Sequence, residues 1–231
     1  MASQLPVPLP LGLLGESVDL ESITPAPLRS AARTVLAPRI RRRSWEKRGF
    51  AMPAPIEVKR AVLRRYGRPN STWIETGTFL GDTTAFLARS AKMVYSIEPS
   101  EMLSAKARAR FHGFANVTII RALSEDVLDD LIASVDGPLS LWLDGHYSAG
   151  ITHKGPQDTP IREELAIVER HLGRFPDISV LVDDVRCFDP VIPEYASYPS
   201  RTWLVEWADR NGLAWVIEHD IFVAARGRVV S

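Results

Sequence analysis

The chain has 231 residues, 45% of them hydrophobic and 24% charged, with 28 basic side chains balanced by 28 acids. That length fits one α/β domain with an accessory segment, and the neutral balance gives no overall pull toward nucleic acid. The single cysteine, Cys187, excludes an internal disulfide framework and suits a reducing cytoplasm; no apolar run is long enough for a membrane span, and residues 1–6 lack a signal peptide's basic start.

Residues 1–54 read as an arm and 55–231 as the main domain. Pro6, Pro8, Pro10, Pro25 and Pro27 argue against a long helix over residues 1–28. This stretch is expected to lie over the domain or over a partner subunit, the second of which would make a homodimer. From Arg29 to Arg48 there are eight basic residues and one acid, Glu46. A solvated helix face or tail is the expected reading; contact with a partner, an acidic polymer or a membrane surface is the alternative.

Apolar residues at Ile56, Val58, Val62, Leu63 and Tyr66 predict a helix over 55–66, with Gly67 suited to a left-handed C-cap. Strands are predicted at 72–75, 93–97, 117–120, 139–143 and 178–182. Helices are predicted at 82–90, 101–111, 125–134, 159–172 and 201–210. Two further strands, 214–217 and 221–225, are joined too tightly for a helical crossover and should be antiparallel. Strands alternating with helices imply an α/β fold with a mostly parallel, doubly wound sheet and an antiparallel C-terminal strand.

Three groups of residues point to chemistry. Residues 73–84, Trp-Ile-Glu-Thr-Gly-Thr-Phe-Leu-Gly-Asp-Thr-Thr, read as strand, tight turn and helix start. Gly77 lets a ligand approach the backbone where a Cβ would collide, and the new helix offers amide donors. Glu98 ends the second strand roughly 20 residues further on, the distance at which an acid in a βαβ unit reaches ribose hydroxyls. Asp144 ends the fourth strand, and Asp183 and Asp184 end the fifth. In a parallel sheet these ends share one rim, with neighbouring strands about 4.8 Å apart. Three oxygen ligands without a cysteine suit Mg²⁺ or another hard divalent cation. The alternative is that the acids cap helices or pair with Arg186.

The glycine turn resembles the first motif of the class I methyltransferases, which have a Rossmann-like fold and use S-adenosylmethionine. That resemblance implies cofactor contacts from Glu75, Thr76, Gly77, Thr78, Gly81 and Thr83, from Glu98, and from Asp144. It also implies an adenine held by Ser124 or Glu125. Asp144 with Asp183-Asp184 resembles the metal-dependent O-methyltransferases. Leu-Asp-Gly-His-Tyr-Ser at 143–148, followed by Asp-Asp-Val-Arg at 183–186, is most similar to the sugar-directed branch, mannoside enzymes included. The resemblance covers roughly residues 55–225 and leaves the arm unassigned. Catechol-type relatives carry Asp-Asn where this chain has Asp-Asp, which counts against a catechol acceptor.

The resemblance implies an enzyme that aims and deprotonates a sugar hydroxyl. Asp144 and His146 are the catalytic candidates, with His146 either the base or a partner of a carboxylate, and His153 a weaker candidate. Gly145, Gly150 and Gly155 suggest a flap over 145–158. Tyr147, Tyr195 and Tyr198 could stack on a sugar or simply pack. His112, His171 and His219 are expected at the surface. The competing readings are the same chemistry on a small-molecule or antibiotic acceptor, and a cofactor-binding module without turnover. A nucleic-acid methyltransferase is disfavoured, because no base-reading module is evident.

Overall fold

The computed structural model describes residues 26–144 and 159–226, with side chains from residue 37 onward. The chain divides into two units, residues 1–44 and 45–231. Helix α1 spans Ala26–Lys47. Of the Pro-rich stretch 1–28 only residues 26–28 are described, and they begin this helix: Pro27 occupies the first turn, where its missing N–H is not needed, and Pro38 lies inside the helix.

The second unit alternates helices and strands. In order they are α2 (Ile56–Tyr66), β1 (Thr72–Thr76), α3 (Asp82–Leu87), β2 (Met93–Ile97) and α4 (Glu101–Phe111). Then follow β3 (Val117–Ile120), α5 (Ser124–Ser134), β4 (Leu139–Leu143), α6 (Ile161–His171) and β5 (Ile178–Val182). The unit closes with α7 (Arg201–Arg210), β6 (Ala214–Glu218) and β7 (Ile221–Ala225). The seven strands are ordered β3-β2-β1-β4-β5-β7-β6. Neighbours from β3 to β5 pair in parallel, whereas β7 runs antiparallel to both β5 and β6. This is the doubly wound, Rossmann-like sheet expected from the sequence.

The sheet is covered on both faces, so its central strands read as continuous apolar runs: β1, β4, β5 and β7 are buried throughout. Side chains alternate between faces along each strand. Ile74, Leu141, Val180, Val182 and Phe222 pack with α5, α6 and α7 through Leu128, Leu165, Val168, Leu204 and Trp207. Trp73, Trp142, Leu181 and Val223 pack on the opposite face with Val62, Leu63 and Tyr66 of α2 and Leu87 of α3. Burying a side chain of this size contributes about 1.5–3 kcal/mol. Ser100 and Ser200 cap α4 and α7 by accepting from the amides of Leu103 and Trp203.

Gly67 differs from expectation. It is extended (φ −61°, ψ 142°) rather than left-handed. Its glycine identity has another cause: a Cβ there would lie 2.2 Å from Cζ2 of Trp73 and 2.7 Å from the Leu63 carbonyl oxygen. No helix among the described residues is long and apolar enough to cross a membrane.

Candidate functional site

Register places the site. Thr76 pairs with Ile97 of β2 and Leu143 of β4, and Leu143 pairs with Val182 of β5. The ladder continues one residue further. The amide of Gly77 donates to Ile97 (3.0 Å), Asp144 to Thr76 (3.1 Å), and Asp183 to Leu143 (3.0 Å). Gly77, Glu98, Asp144 and Asp183 therefore leave the sheet in one line at the C-terminal rim, where open α/β sheets bind ligands. One more step of alternation turns Asp144 and Asp183 toward the face that carries α2.

The glycine turn is held from below by Glu75. This residue is fully buried, and its Oε2 accepts from the hydroxyls of Thr84 (2.5 Å) and Ser96 (2.6 Å). Ser96 is its cross-strand neighbour in register. The carboxyl thus ties β1, β2 and α3 together. Burial pushes its pKa up to about 7 against the pull of the two hydroxyls. Its Oε1 has no hydrogen-bond partner among the described residues, and an unsatisfied buried acceptor costs about 1–3 kcal/mol. Gly77 (φ 88°) and Gly81 (φ 78°) take left-handed conformations. At Gly81 a Cβ would also meet Cε2 of Phe111 at 2.7 Å. The Thr78 hydroxyl bonds to Ser96 (2.6 Å), so it serves the turn. Thr83, in the first turn of α3, is half-buried.

Glu98 is buried at the end of β2. Its Oε2 accepts from the Phe79 amide (2.8 Å) and its Oε1 from the Ser100 amide (3.0 Å). It therefore clamps the glycine turn to the start of α4, and each oxygen keeps a second lone pair for a hydroxyl donor.

The three acids converge as expected. One oxygen from each of Asp144, Asp183 and Asp184 lies within 4.8 Å of the others. Asp184 is a non-glycine residue at φ 55°, in the left-handed region that such residues rarely adopt. Asp183 Oδ1 accepts from the Asp184 amide (2.8 Å). Arg186 donates to Asp184 Oδ1 (2.5 Å) and, even more closely, to Asp220 Oδ2, while its own amide donates to Asp220 Oδ1 (2.8 Å). Arg186 thus pairs with Asp184 and Asp220. Burial works against its charge, but Asp184 and Asp220 outweigh that and raise its pKa.

Three side chains near this rim were not foreseen. Lys59 of α2 places its Nζ 2.5 Å from Asp183 Oδ2 and 3.0 Å from Asp184 Oδ1, with its side chain 14% exposed. Desolvation opposes its charge, yet Asp183, Asp184 and Asp144 together hold its pKa above the ordinary value. Burial, with Asp144 and Asp184 nearby, raises the pKa of Asp183 as well, which for a carboxyl favours the neutral form. Asp220, at the start of the antiparallel β7, is the second. Glu164 of α6 is the third. It is 1% exposed, its pKa pushed up to about 7 by burial, with the Ser124 and Thr76 hydroxyls pulling the other way. Its Oε1 also finds no hydrogen-bond partner among the described residues. Glu164, Asp183, Thr159, Phe188 and Tyr198 line a narrow cleft.

Ser124, the adenine candidate, is buried and within reach of both Glu164 and, at 3.3 Å, Glu125. Tyr198 packs edge-on against Phe188 and Tyr195, which is the packing role. His171 is not fully at the surface: its side chain is 16% exposed, and it meets Asp129 at 2.6 Å. His146, His153, Tyr147 and the expected flap lie outside the described residues.

As a donor set, three clustered carboxylates fit a hard divalent cation. Among the described residues, the carboxylates at this rim outnumber the cations Lys59 and Arg186 that face them. The orphaned Oε1 of Glu75 and the second lone pairs of Glu98 fit a polar ligand laid along the glycine turn.

No family model matches the chain. Over 54 residues it is 50% identical to protein-L-isoaspartate O-methyltransferase 1 of Polaromonas sp. strain JS666, a match spanning 22% of this chain and 23% of that protein. Among solved structures, the fold is similar to SMU.1697c of Streptococcus mutans, solved in complex with SAH (18% identity, 76% of this chain, 98% of that chain, TM-score 0.48). It is similar to the N-methyltransferase NodS of Bradyrhizobium japonicum WM9 (13%, 71% and 90%, TM-score 0.47). It is also similar to the magnesium protoporphyrin IX methyltransferase ChlM of Synechocystis, solved with bound SAM (15%, 74% and 78%, TM-score 0.46).

Proposed function

We propose that the protein is an O-methyltransferase that uses S-adenosylmethionine and a divalent cation, Mg²⁺ for preference, to methylate a sugar hydroxyl, such as that of a mannoside in a methylated polysaccharide. The observation that carries this reading is the meeting of Asp144, Asp183 and Asp184 at the same rim as the glycine turn and Glu98.

Bound there, the cofactor supplies an electrophilic methyl group and the cation lowers the pKa of the acceptor hydroxyl. The chain's own residues do the positioning. Gly77 and Gly81 shape the turn, and Glu98, already fixed by the Phe79 and Ser100 amides, offers its remaining lone pairs to ribose hydroxyls. Ser124 and Glu125 stand at the start of α5 for the adenine. Asp144, Asp183 and Asp184 would hold the cation, and Arg186, fixed on Asp220, keeps Asp184 in place. His146, two residues beyond Asp144, takes the hydroxyl proton. Holding nucleophile and methyl in line supplies much of the rate, because alignment removes entropy from the barrier.

Calorimetric titration with S-adenosylmethionine tests the cofactor, and absence of binding to the wild type ends the reading. Turnover on a panel of saccharide and phenolic acceptors with labelled cofactor tests the acceptor. Full activity in excess EDTA would remove the cation from the mechanism.

A further inference from the structure

We propose that Lys59 is a tethered cation sharing the acid cluster with the metal: it holds Asp183 and Asp184 together before a divalent ion arrives, and it sets how weakly that ion is held. This rests on the metal-assisted reading above.

The placement of Lys59 is not that of a surface lysine. On α2, positions 59, 62, 63 and 66 share one helix face, and Val62, Leu63 and Tyr66 are buried in the core beneath it. Lys59 takes the inward position one turn before them, which carries its ammonium to the end of the sheet instead of to water. Burying an ammonium is unfavourable unless it is paired, and here it touches both carboxylates of the adjacent acid pair. Asp183 and Asp184 are consecutive, and without a cation between them their charges repel.

The two cations at the rim differ in freedom. Arg186 is fixed by Asp220 through both its backbone amide and its guanidinium. Lys59 has a flexible four-carbon stem and a compact point charge, so its ammonium can swing in a way that the doubly anchored Arg186 cannot. A divalent ion reaching the three acids therefore either meets the positive charge of Lys59 or displaces the ammonium and breaks its pairs with Asp183 and Asp184. Both cases weaken the hold on the ion, the first because like charges a few ångströms apart repel strongly in a partly buried site, the second because those pairs are lost.

The test is titration of MnCl₂ alone into the cofactor-free protein, followed by calorimetry and by the electron paramagnetic resonance signal of free Mn²⁺. The wild type is compared with Lys59→Met, which keeps the apolar stem, and Lys59→Gln, which keeps hydrogen bonding without charge. The expected result is Mn²⁺ affinity at least tenfold tighter in both variants. In EDTA both should melt below the wild type, and Mn²⁺ should raise their Tm by more than it raises the wild type's. If the wild type binds Mn²⁺ and the variants bind it equally or more weakly, the proposal for Lys59 is overturned while the metal reading stands. If none of the three binds Mn²⁺, both fail.

Discussion

Replacing Glu164 by Gln should make the protein's stability less dependent on pH, and the size of the effect follows from the burial of that carboxyl. Burial raises its pKa from 4.5 to about 7 in the folded state, with the Ser124 and Thr76 hydroxyls opposing. The unfolded chain keeps the ordinary value. A raised folded pKa means the native state binds the extra proton between those values, so this residue's contribution is fully present below pH 4.5 and is lost as pH rises to about 7. Each unit of pKa difference corresponds to about 1.4 kcal/mol. Between pH 5 and pH 8 the wild type should lose roughly 2–3 kcal/mol from this residue alone. Gln has nearly the same shape and no charge to bury, so Glu164→Gln should gain on the wild type by that amount at pH 8 relative to pH 5. Urea unfolding of both proteins at the two pH values measures it. Glu75 titrates in the same range, but it is present in both proteins and cancels in the comparison. An equal stability difference at pH 5 and pH 8 would refute the reasoning, because Glu164 would then not be changing its charge on unfolding across that interval.

Gly81→Ala should destabilise the fold by more than about 1 kcal/mol, since it combines a left-handed backbone with a Cβ pressed on the buried Phe111 ring; thermal unfolding reads the loss. Glu98→Ala should weaken S-adenosylmethionine at least tenfold in calorimetric titration. It should also lower Tm, because the Phe79 and Ser100 amides lose their acceptor; unchanged cofactor affinity would remove Glu98 from the ribose site. Asp220→Asn should release Arg186 and cost about 1–3 kcal/mol, as expected when a buried charged partner is removed; a change under 0.5 kcal/mol, measured by chemical denaturation, would argue that Arg186 is held by Asp184 alone.

The parallel strands and their acids were legible because they depend on local rules. Five-residue apolar runs ending in Asp or Glu define strand ends, and a parallel register carries those ends to one rim regardless of what packs around them. Convergence of Asp144, Asp183 and Asp184 needed nothing beyond that register. Gly67 was misread because a glycine after a helix usually serves as a left-handed cap; here the requirement was space for Trp73, a tertiary neighbour that no local rule reveals. Asp220 gave no signal, since an acid in a hairpin turn is ordinary, and only the reversal of β7 brings it to the rim.

Lys59 and Glu164 carried a signal that composition disguised. Each is a charged residue on the apolar stripe of its helix: Lys59 with Val62, Leu63 and Tyr66, and Glu164 with Ile161, Leu165 and Val168. Solvent-facing charges normally fall on the opposite side of such a helix. The two helices lie on opposite faces of the sheet, and both residues reach its C-terminal end, Lys59 at Asp183 and Asp184 and Glu164 beside Thr76. A sheet rim built to hold charge needs counter-charges and proton donors from above and below, because the strands themselves supply only their terminal acids. The residues that complete such a rim are therefore to be sought on the core-facing stripes of the flanking helices, at the turn nearest the strand ends.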